Sequence, residues 1–124
     1  MKMSGIEGLP DQGALIWINA EPHAGHEYGG HNTQQGNTMR PMLVISDGVY
    51  NRRTGFIVGF PITSNKPKND FPTIKLGPHK IHGYVVFTPL GYDYEARNGS
   101  IIERASRVEL QQALIAARDL FGFF

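Results

Sequence analysis

A small, mainly β barrel with one helix at its C-terminal end is the fold this sequence predicts. Three observations point to it. Short apolar, β-rich runs are separated by glycine and proline, the apolar spacing turns helical after Ser106, and 124 residues suit one modest core.

Residues 1–12, with Gly5, Gly8 and Pro10, read as a loose leader to a single domain spanning 1–124. Ala14-Leu15-Ile16-Trp17-Ile18-Asn19 is the first strand signal. A polar, glycine- and histidine-bearing stretch from Glu21 to Met39 follows; it has no periodicity and exceeds an ordinary hairpin loop, which marks it as a functional or mobile loop. A second strand is expected from Pro41 to Ser46, with proline first, where a missing N–H is tolerated. Asn51 to Gly55 reads as a turn, and Phe56-Ile57-Val58-Gly59-Phe60 as a strand ended by Pro61. Thr63 to Asp70 is a polar loop, Phe71 to Leu76 a half-buried strand, and Gly83 to Phe87 a further short one.

The C-terminal segment, 106–121, is the helix. Ser106-Arg107-Val108-Glu109 has capping-box spacing, in which the serine hydroxyl and the glutamate carboxylate satisfy first-turn amides reciprocally. Leu110, Ala113, Leu114, Ala117 and Phe121 then share one face, which reads as packing against the sheet, and Gly122 closes the helix.

Composition narrows the function classes. There is no cysteine, so a disulfide framework, a thiolate zinc site and a cysteine nucleophile are excluded together, in keeping with a cytoplasmic protein. No apolar run reaches membrane-spanning length, and a signal-peptide pattern is absent. A net charge of +1 is low for a general nucleic-acid coat but compatible with a local basic groove.

Several groups bear chemistry. His23, His26 and His31 share one loop but lack zinc-like spacing or acidic companions, so no metal site is expected. His26, with its near-neutral intrinsic pKa, suits a general acid or base. Arg40 stands where the polar loop meets a strand; its five-donor fork suits a phosphate, although a surface charge is the commoner reading. Pro61-Ile62-Thr63-Ser64 places two hydroxyls just past a buried strand, either as a hydrogen-bonded turn or as donors to a phosphate oxygen. Arg52, Arg53, Lys66, Lys68, Lys75 and Lys80 are interleaved with Tyr50, Phe56, Phe71 and Tyr84, a weak pattern for backbone contact and base stacking.

In order, these pieces resemble the MazF/PemK (Kid-like) family of toxin–antitoxin ribonucleases from about Pro10 to Glu109. Gly13-Ala14-Leu15-Ile16-Trp17-Ile18 is similar to the family's opening G-x-I-W strand, and Glu21-Pro22-His23-Ala24-Gly25-His26-Glu27 to D-P-x-x-G-H-E-Q. Arg40-Pro41-Met42-Leu43-Val44-Ile45-Ser46 is similar to R-P-x-L-V-L-S, and Phe60-Pro61-Ile62-Thr63-Ser64 to x-P-I-T-S; Tyr50-Asn51-Arg52-Arg53-Thr54-Gly55 lies between them.

The resemblance implies a homodimer of SH3-like (CcdB/MazF-type) barrels, each with a C-terminal helix, cleaving single-stranded RNA at short motifs without cofactor or metal. It further implies a cognate antitoxin that inhibits the enzyme, with operator DNA engaged only through that antitoxin. By position, Arg40 and Thr63 match the catalytic arginine and threonine, and His26 a loop histidine. Ser64, Glu27, Asn51, Lys66, Phe71 and Thr88 are the expected RNA contacts.

Two departures stand out. Relatives read V-V-x-x-D-Q after the glycine corresponding to Gly83, whereas Tyr84-Val85-Val86-Phe87-Thr88-Pro89 stands here, so the Kid-like arginine–aspartate pair is missing and Thr88 replaces at most one donor. The Tyr28–Met39 loop is longer than usual, by an insertion near His31. Two other readings compete on the same fold: a CcdB-like gyrase poison, which has no need of Arg40 beside Pro61-Ile62-Thr63-Ser64, and a relative that binds RNA or antitoxin without cleavage.

Overall fold

The first strand is apolar from Ala14 to Ile18 because both of its faces are covered. In the computed structural model, which describes residues 8–21, 24, 39–68 and 70–122, β1 (Ala14–Asn19) directs Ala14, Ile16 and Ile18 into one apolar cluster and Leu15 into another. It pairs antiparallel with β2 (Met39–Val44) on one side and β7 (Ser100–Arg104) on the other, with a register shift at Leu15/Ile16. β2 therefore starts two residues before Pro41, which stands opposite Trp17.

The segment read as a turn at Asn51–Gly55 is the end of a short helix, α1 (Gly48–Thr54). Gly55 closes it in the left-handed region at φ +78, where glycine carries no Cβ penalty, and donates its N–H to the Asn51 carbonyl. β3 (Phe56–Thr63) then runs antiparallel to β2. β4 (Thr73–Lys75) and β5 (Tyr84–Val86) form a hairpin at the sheet edge and are shorter than the segments read from sequence. β6 (Leu90–Asp93), which periodicity does not reveal, pairs with the first half of β3.

Strand pairing runs β4-β5-β3-β2-β1-β7, with β6 joined to β3. The mainly β class with a C-terminal helix is as expected. Closure of a barrel by strand pairing is not: among the described residues, β4 and β7 remain the unjoined ends of the path.

Alternation along the strands makes two cores. Leu15, Leu43, Ile45, Phe60, Ile62 and Val85 face one way and meet Ala113 of the terminal helix; Ile16, Ile18, Met42, Val44, Ile57 and Tyr94 face the other. Leu9 belongs to the second core and Pro10 is fully buried, so the stretch read as a loose leader is packed from Leu9 onward. Leu9 is held there by its apolar burial, while Asn51 Nδ2 donates to the Pro10 carbonyl at 2.9 Å.

α2 (Arg107–Phe121) begins at the expected capping box: Glu109 N–H donates to Ser106 Oγ at 3.1 Å, and Ser106 N–H to Glu109 Oε1 at 2.7 Å. Gly122 caps its other end. Ala113, Leu114 and Ala117 pack on the first core, but Phe121, placed by periodicity on the same face, is 62% exposed.

Glu109 is buried, which pushes its carboxyl pKa up. The Gly77 and Ser106 amides, the His79 ring and the Ser106 hydroxyl outweigh that and hold it at about 2, against 4.5 ordinarily. A carboxyl lowered in the folded state stabilises fully above pH 4.5, and that contribution is lost as pH falls toward 2. Urea unfolding should therefore show the stability gap between the native chain and Glu109→Gln shrinking, by up to about 3 kcal/mol, from pH 6 to pH 2. A constant gap across that range would contradict this account of the carboxylate.

Candidate active site

The end of β3 is shaped by Pro61. With no N–H to give, proline is tolerated where a strand's pairing changes: β2 pairs with β3 as far as Pro61, and on the opposite edge β6 gives way to β5, Ile62 opposite Val85 and Thr63 opposite Tyr84. Thr63 is thereby carried to the margin of the sheet, half-buried, with Ser64 exposed just after it.

Arg40 reaches the same margin from β2. It pairs with Ile18 across β1, and the last β2–β3 pair, Met42 opposite Pro61, stands two residues from Arg40 on β2 and two residues from Thr63 on β3. Strand residues two apart point the same way, so Arg40 and Thr63 share the face of the Met42–Pro61 pair. The face is the one occupied by Ile18, Met42 and Ile57, away from the core under α2. Arg40 is half-buried, and its Nη1 donates to the Met39 carbonyl at 2.8 Å. Together with Ile18, Ala20, Pro61, Leu90 and Tyr92 it lines a recess of about 10 Å³, so the stem of the side chain rests on apolar surface.

The pairing extends the row. Tyr84 pairs with both Thr63 and Lys75, so Thr63, Tyr84 and Lys75 follow one another across β3, β5 and β4, with Arg40 near the same end of neighbouring β2. Two cations, a hydroxyl and a phenol are thus brought onto one face, with Tyr84 half-buried and Lys75 exposed. Sequence reasoning noted Tyr84 and Lys75 only as part of a diffuse basic and aromatic pattern; strand register is what gathers them.

The other anticipated residues fall into three groups. Lys66 and Phe71 are exposed on the connection between β3 and β4. Thr88 is half-buried between β5 and β6; those strands pair with β3 on either side of Phe60–Pro61, and the Phe87 ring sits 5.2 Å from that of Phe60. His26 and Glu27 lie outside the described residues, as do His23 and His31. Among the described residues no three His, Asp or Glu side chains converge as a metal site would require.

Asn51, expected among the RNA contacts, is an internal tie instead. It is fully buried in α1, and its amide nitrogen donates to the Pro10 and Ser46 carbonyls while its oxygen accepts from the Ser46 hydroxyl. A side chain so engaged ties the N-terminal segment to α1 and presents nothing to RNA.

Arg97 is a residue that sequence reasoning missed. Its Nη1 donates to the Asn19 carbonyl at 3.2 Å and the Glu21 carbonyl at 2.6 Å, and its guanidinium lies 4.7 Å from the Tyr92 ring centroid. It fixes the chain leaving β1, next to the recess that holds Arg40. No local signal reveals it, since its partners are 76 and 78 residues away.

Comparison with known proteins gives a consistent picture. The sequence profile of a family described as the PemK-like, MazF-like toxin of type II toxin–antitoxin systems matches residues 11–121. The endoribonuclease toxin MazF of Escherichia coli K12 is 32% identical over 72 residues, 58% of this chain, and the chain spans only 58% of that relative's length. A crystal structure of MazF from Deinococcus radiodurans superposes with a TM-score of 0.80 at 30% identity, covering 94% of this chain and all of the other. A MazE–MazF complex from the same organism gives 0.74 at 25% identity, covering 95% and all of the matched chain. No helix among the described residues is long and apolar enough to cross a membrane.

Proposed function

This chain belongs to the PemK-like, MazF-like toxin family of type II toxin–antitoxin systems, and on that premise we propose that it is a cytoplasmic endoribonuclease that cuts single-stranded RNA at short motifs. The observation that carries the reading is the placement of Arg40 and Thr63 on one face, at one end of adjacent strands, with Tyr84 and Lys75 continuing the row.

RNA brings its own nucleophile. The 2′-hydroxyl gives up its proton and its oxygen bonds to the adjacent phosphorus; the bond to the 5′-oxygen breaks, and that oxygen takes up a proton. The products are a 2′,3′-cyclic phosphate and a 5′-hydroxyl. What remains for the protein is alignment of the attack and stabilisation of the charge that builds on the non-bridging oxygens. Arg40 supplies a charged, forked donor to those oxygens and Thr63 a hydroxyl. Arginine stays protonated, so its role is electrostatic with at most proton donation to the leaving oxygen, and His26 is the candidate base. Because the guanidinium supplies the positive charge and the substrate the nucleophile, the reaction needs no metal.

Around this centre, Tyr84 and Phe71 are suited to stacking on bases, while Lys66 and Lys75 suit the backbone; Ser64 and Thr88 add short donors. A cognate antitoxin inhibits the toxin by covering this face. MazF in complex with MazE, in Deinococcus radiodurans, is the supporting precedent. The active form is a homodimer, supported by the apolar residues that α2 leaves exposed, Ile115, Leu120 and Phe121.

Purified protein is expected to cut a long single-stranded RNA in excess EDTA and to leave DNA of the same sequence intact, since DNA lacks the 2′-hydroxyl. RNA that survives stoichiometric enzyme, or that is cut only when magnesium is restored, contradicts the reading.

A further inference from the structure

The loop joining β4 to β5 is tied down by two carboxylates from a distant part of the chain. Glu109, in the first turn of α2, accepts the Gly77 N–H at 2.7 Å through Oε2 and lies 2.7 Å from His79 Nε2 through Oε1. Glu103, on β7, accepts the Ile81 N–H at 2.9 Å through Oε2 and brings Oε1 to 3.6 Å from His79 Nδ1. Residues 77, 79 and 81 thus all turn toward one carboxylate pair, with His79 between the two. A capping box requires only the exchange between Ser106 and Glu109; the additional contacts hold the loop.

The far end of this loop meets the candidate active site. Gly83, at φ +132, accepts the Leu76 N–H at 2.9 Å and lies so close to the Thr63–Ser64 peptide that a Cβ would overlap the Thr63 carbonyl oxygen. That same Cβ would stand 2.8 Å from the Thr63 carbonyl carbon and 3.2 Å from Ser64 Cα. Gly83 therefore forms the surface on which the Thr63–Ser64 backbone is seated, and the next residue, Tyr84, is the strand partner of Thr63.

The geometry points to Glu103, His79 and Glu109 as positioning residues for Thr63. By fixing the loop from Gly77 to Ile81 they fix Gly83, and Gly83 sets where the Thr63 hydroxyl stands. None of the three touches the reacting atoms. This deepens, and rests on, the reading of Thr63 as the active-site hydroxyl.

The test is a double-mutant cycle on the full chain with single-stranded RNA, using His79→Ala, His79→Gln, Thr63→Ala and the pair His79→Ala/Thr63→Ala. A donor used in the transition state loses effect when misplaced, so His79→Ala should lower the single-turnover rate about tenfold, with half-saturating RNA nearly unchanged. His79→Gln, whose amide can still donate to Glu109, should recover most of that rate. In the Thr63→Ala background, His79→Ala should have no further effect. An equal drop in both backgrounds overturns the proposal. A second readout does not depend on activity: in amide NMR spectra, the Ser64 resonance should move in His79→Ala and return in His79→Gln. An unmoved Ser64 resonance also overturns the proposal. If Thr63→Ala alone leaves cleavage intact, the reading of Thr63 fails, and the Ser64 resonance still decides whether the cluster positions this segment.

Discussion

Arg40→Ala is expected to lower RNA cleavage by a factor of about a hundred or more, with the fold intact. Arg40 stands near one end of β2, half-buried, beside a small recess lined largely by apolar residues. Truncation therefore costs little packing. Under the proposed mechanism it removes the charged donors to the non-bridging oxygens as charge develops, and none of Thr63, Tyr84 and Lys75 can replace a guanidinium fork. Arg40→Lys should recover only part of the rate, because an ammonium replaces the charge but not the two-pronged geometry. Single-turnover cleavage rates beside thermal melts of the same preparations check this. A variant as active as the native chain, or one inactive only because it is unfolded, contradicts the assignment.

The second large effect concerns the support beneath the site. Phe60 is fully buried, opposite Leu43 on β2, with the Phe87 ring 5.2 Å away at a 54° tilt. It immediately precedes the Pro61-Ile62-Thr63 segment, where β3 changes partners. Phe60→Ala is expected to destabilise the chain by about 3–5 kcal/mol, through lost burial and the cavity left behind. For a domain of this size that corresponds to a fall in Tm of roughly 10 °C or more. Phe60→Leu, which fills most of the volume, should cost much less. Denaturant titrations measure both, and near-equal losses for the two variants would contradict a close-packed site at Phe60.

These two residues illustrate what sequence can and cannot convey here. The strand positions of Phe60 and Arg40 were legible because each sits in a strong local pattern: a β-rich run closed by proline, and an arginine-proline pair leading into one. The α2 start was equally legible, since a capping box is a three-residue relation. β6 and β7 escaped detection for the converse reason. Leu90-Gly91-Tyr92-Asp93 is short and holds a glycine, and Ser100-Ile101-Ile102-Glu103-Arg104 sets two isoleucines side by side instead of alternating them. Both strands exist because neighbours supply the pairing.

The site divides in the same way. Arg40 and Thr63 follow from motifs, but their alignment with Tyr84 and Lys75 is a matter of register between β3, β5 and β4, which residue spacing alone leaves undetermined. Asn51 misled because its position in a motif says nothing about burial; its amide is consumed by backbone groups of the N-terminal segment and of Ser46. Arg97 and the Glu103–His79–Glu109 cluster join parts of the chain far apart in sequence, so only the folded arrangement brings them into view.

If the RNA's own 2′-hydroxyl attacks at Arg40 and Thr63, the ends of the products carry the signature. A defined single-stranded RNA, cut in EDTA, should yield downstream fragments that polynucleotide kinase labels without prior phosphatase treatment, and upstream fragments ending in a 2′,3′-cyclic phosphate. Downstream fragments carrying a 5′-phosphate, with a free 3′-hydroxyl upstream, would mean that water rather than the 2′-hydroxyl attacks, and would contradict the account.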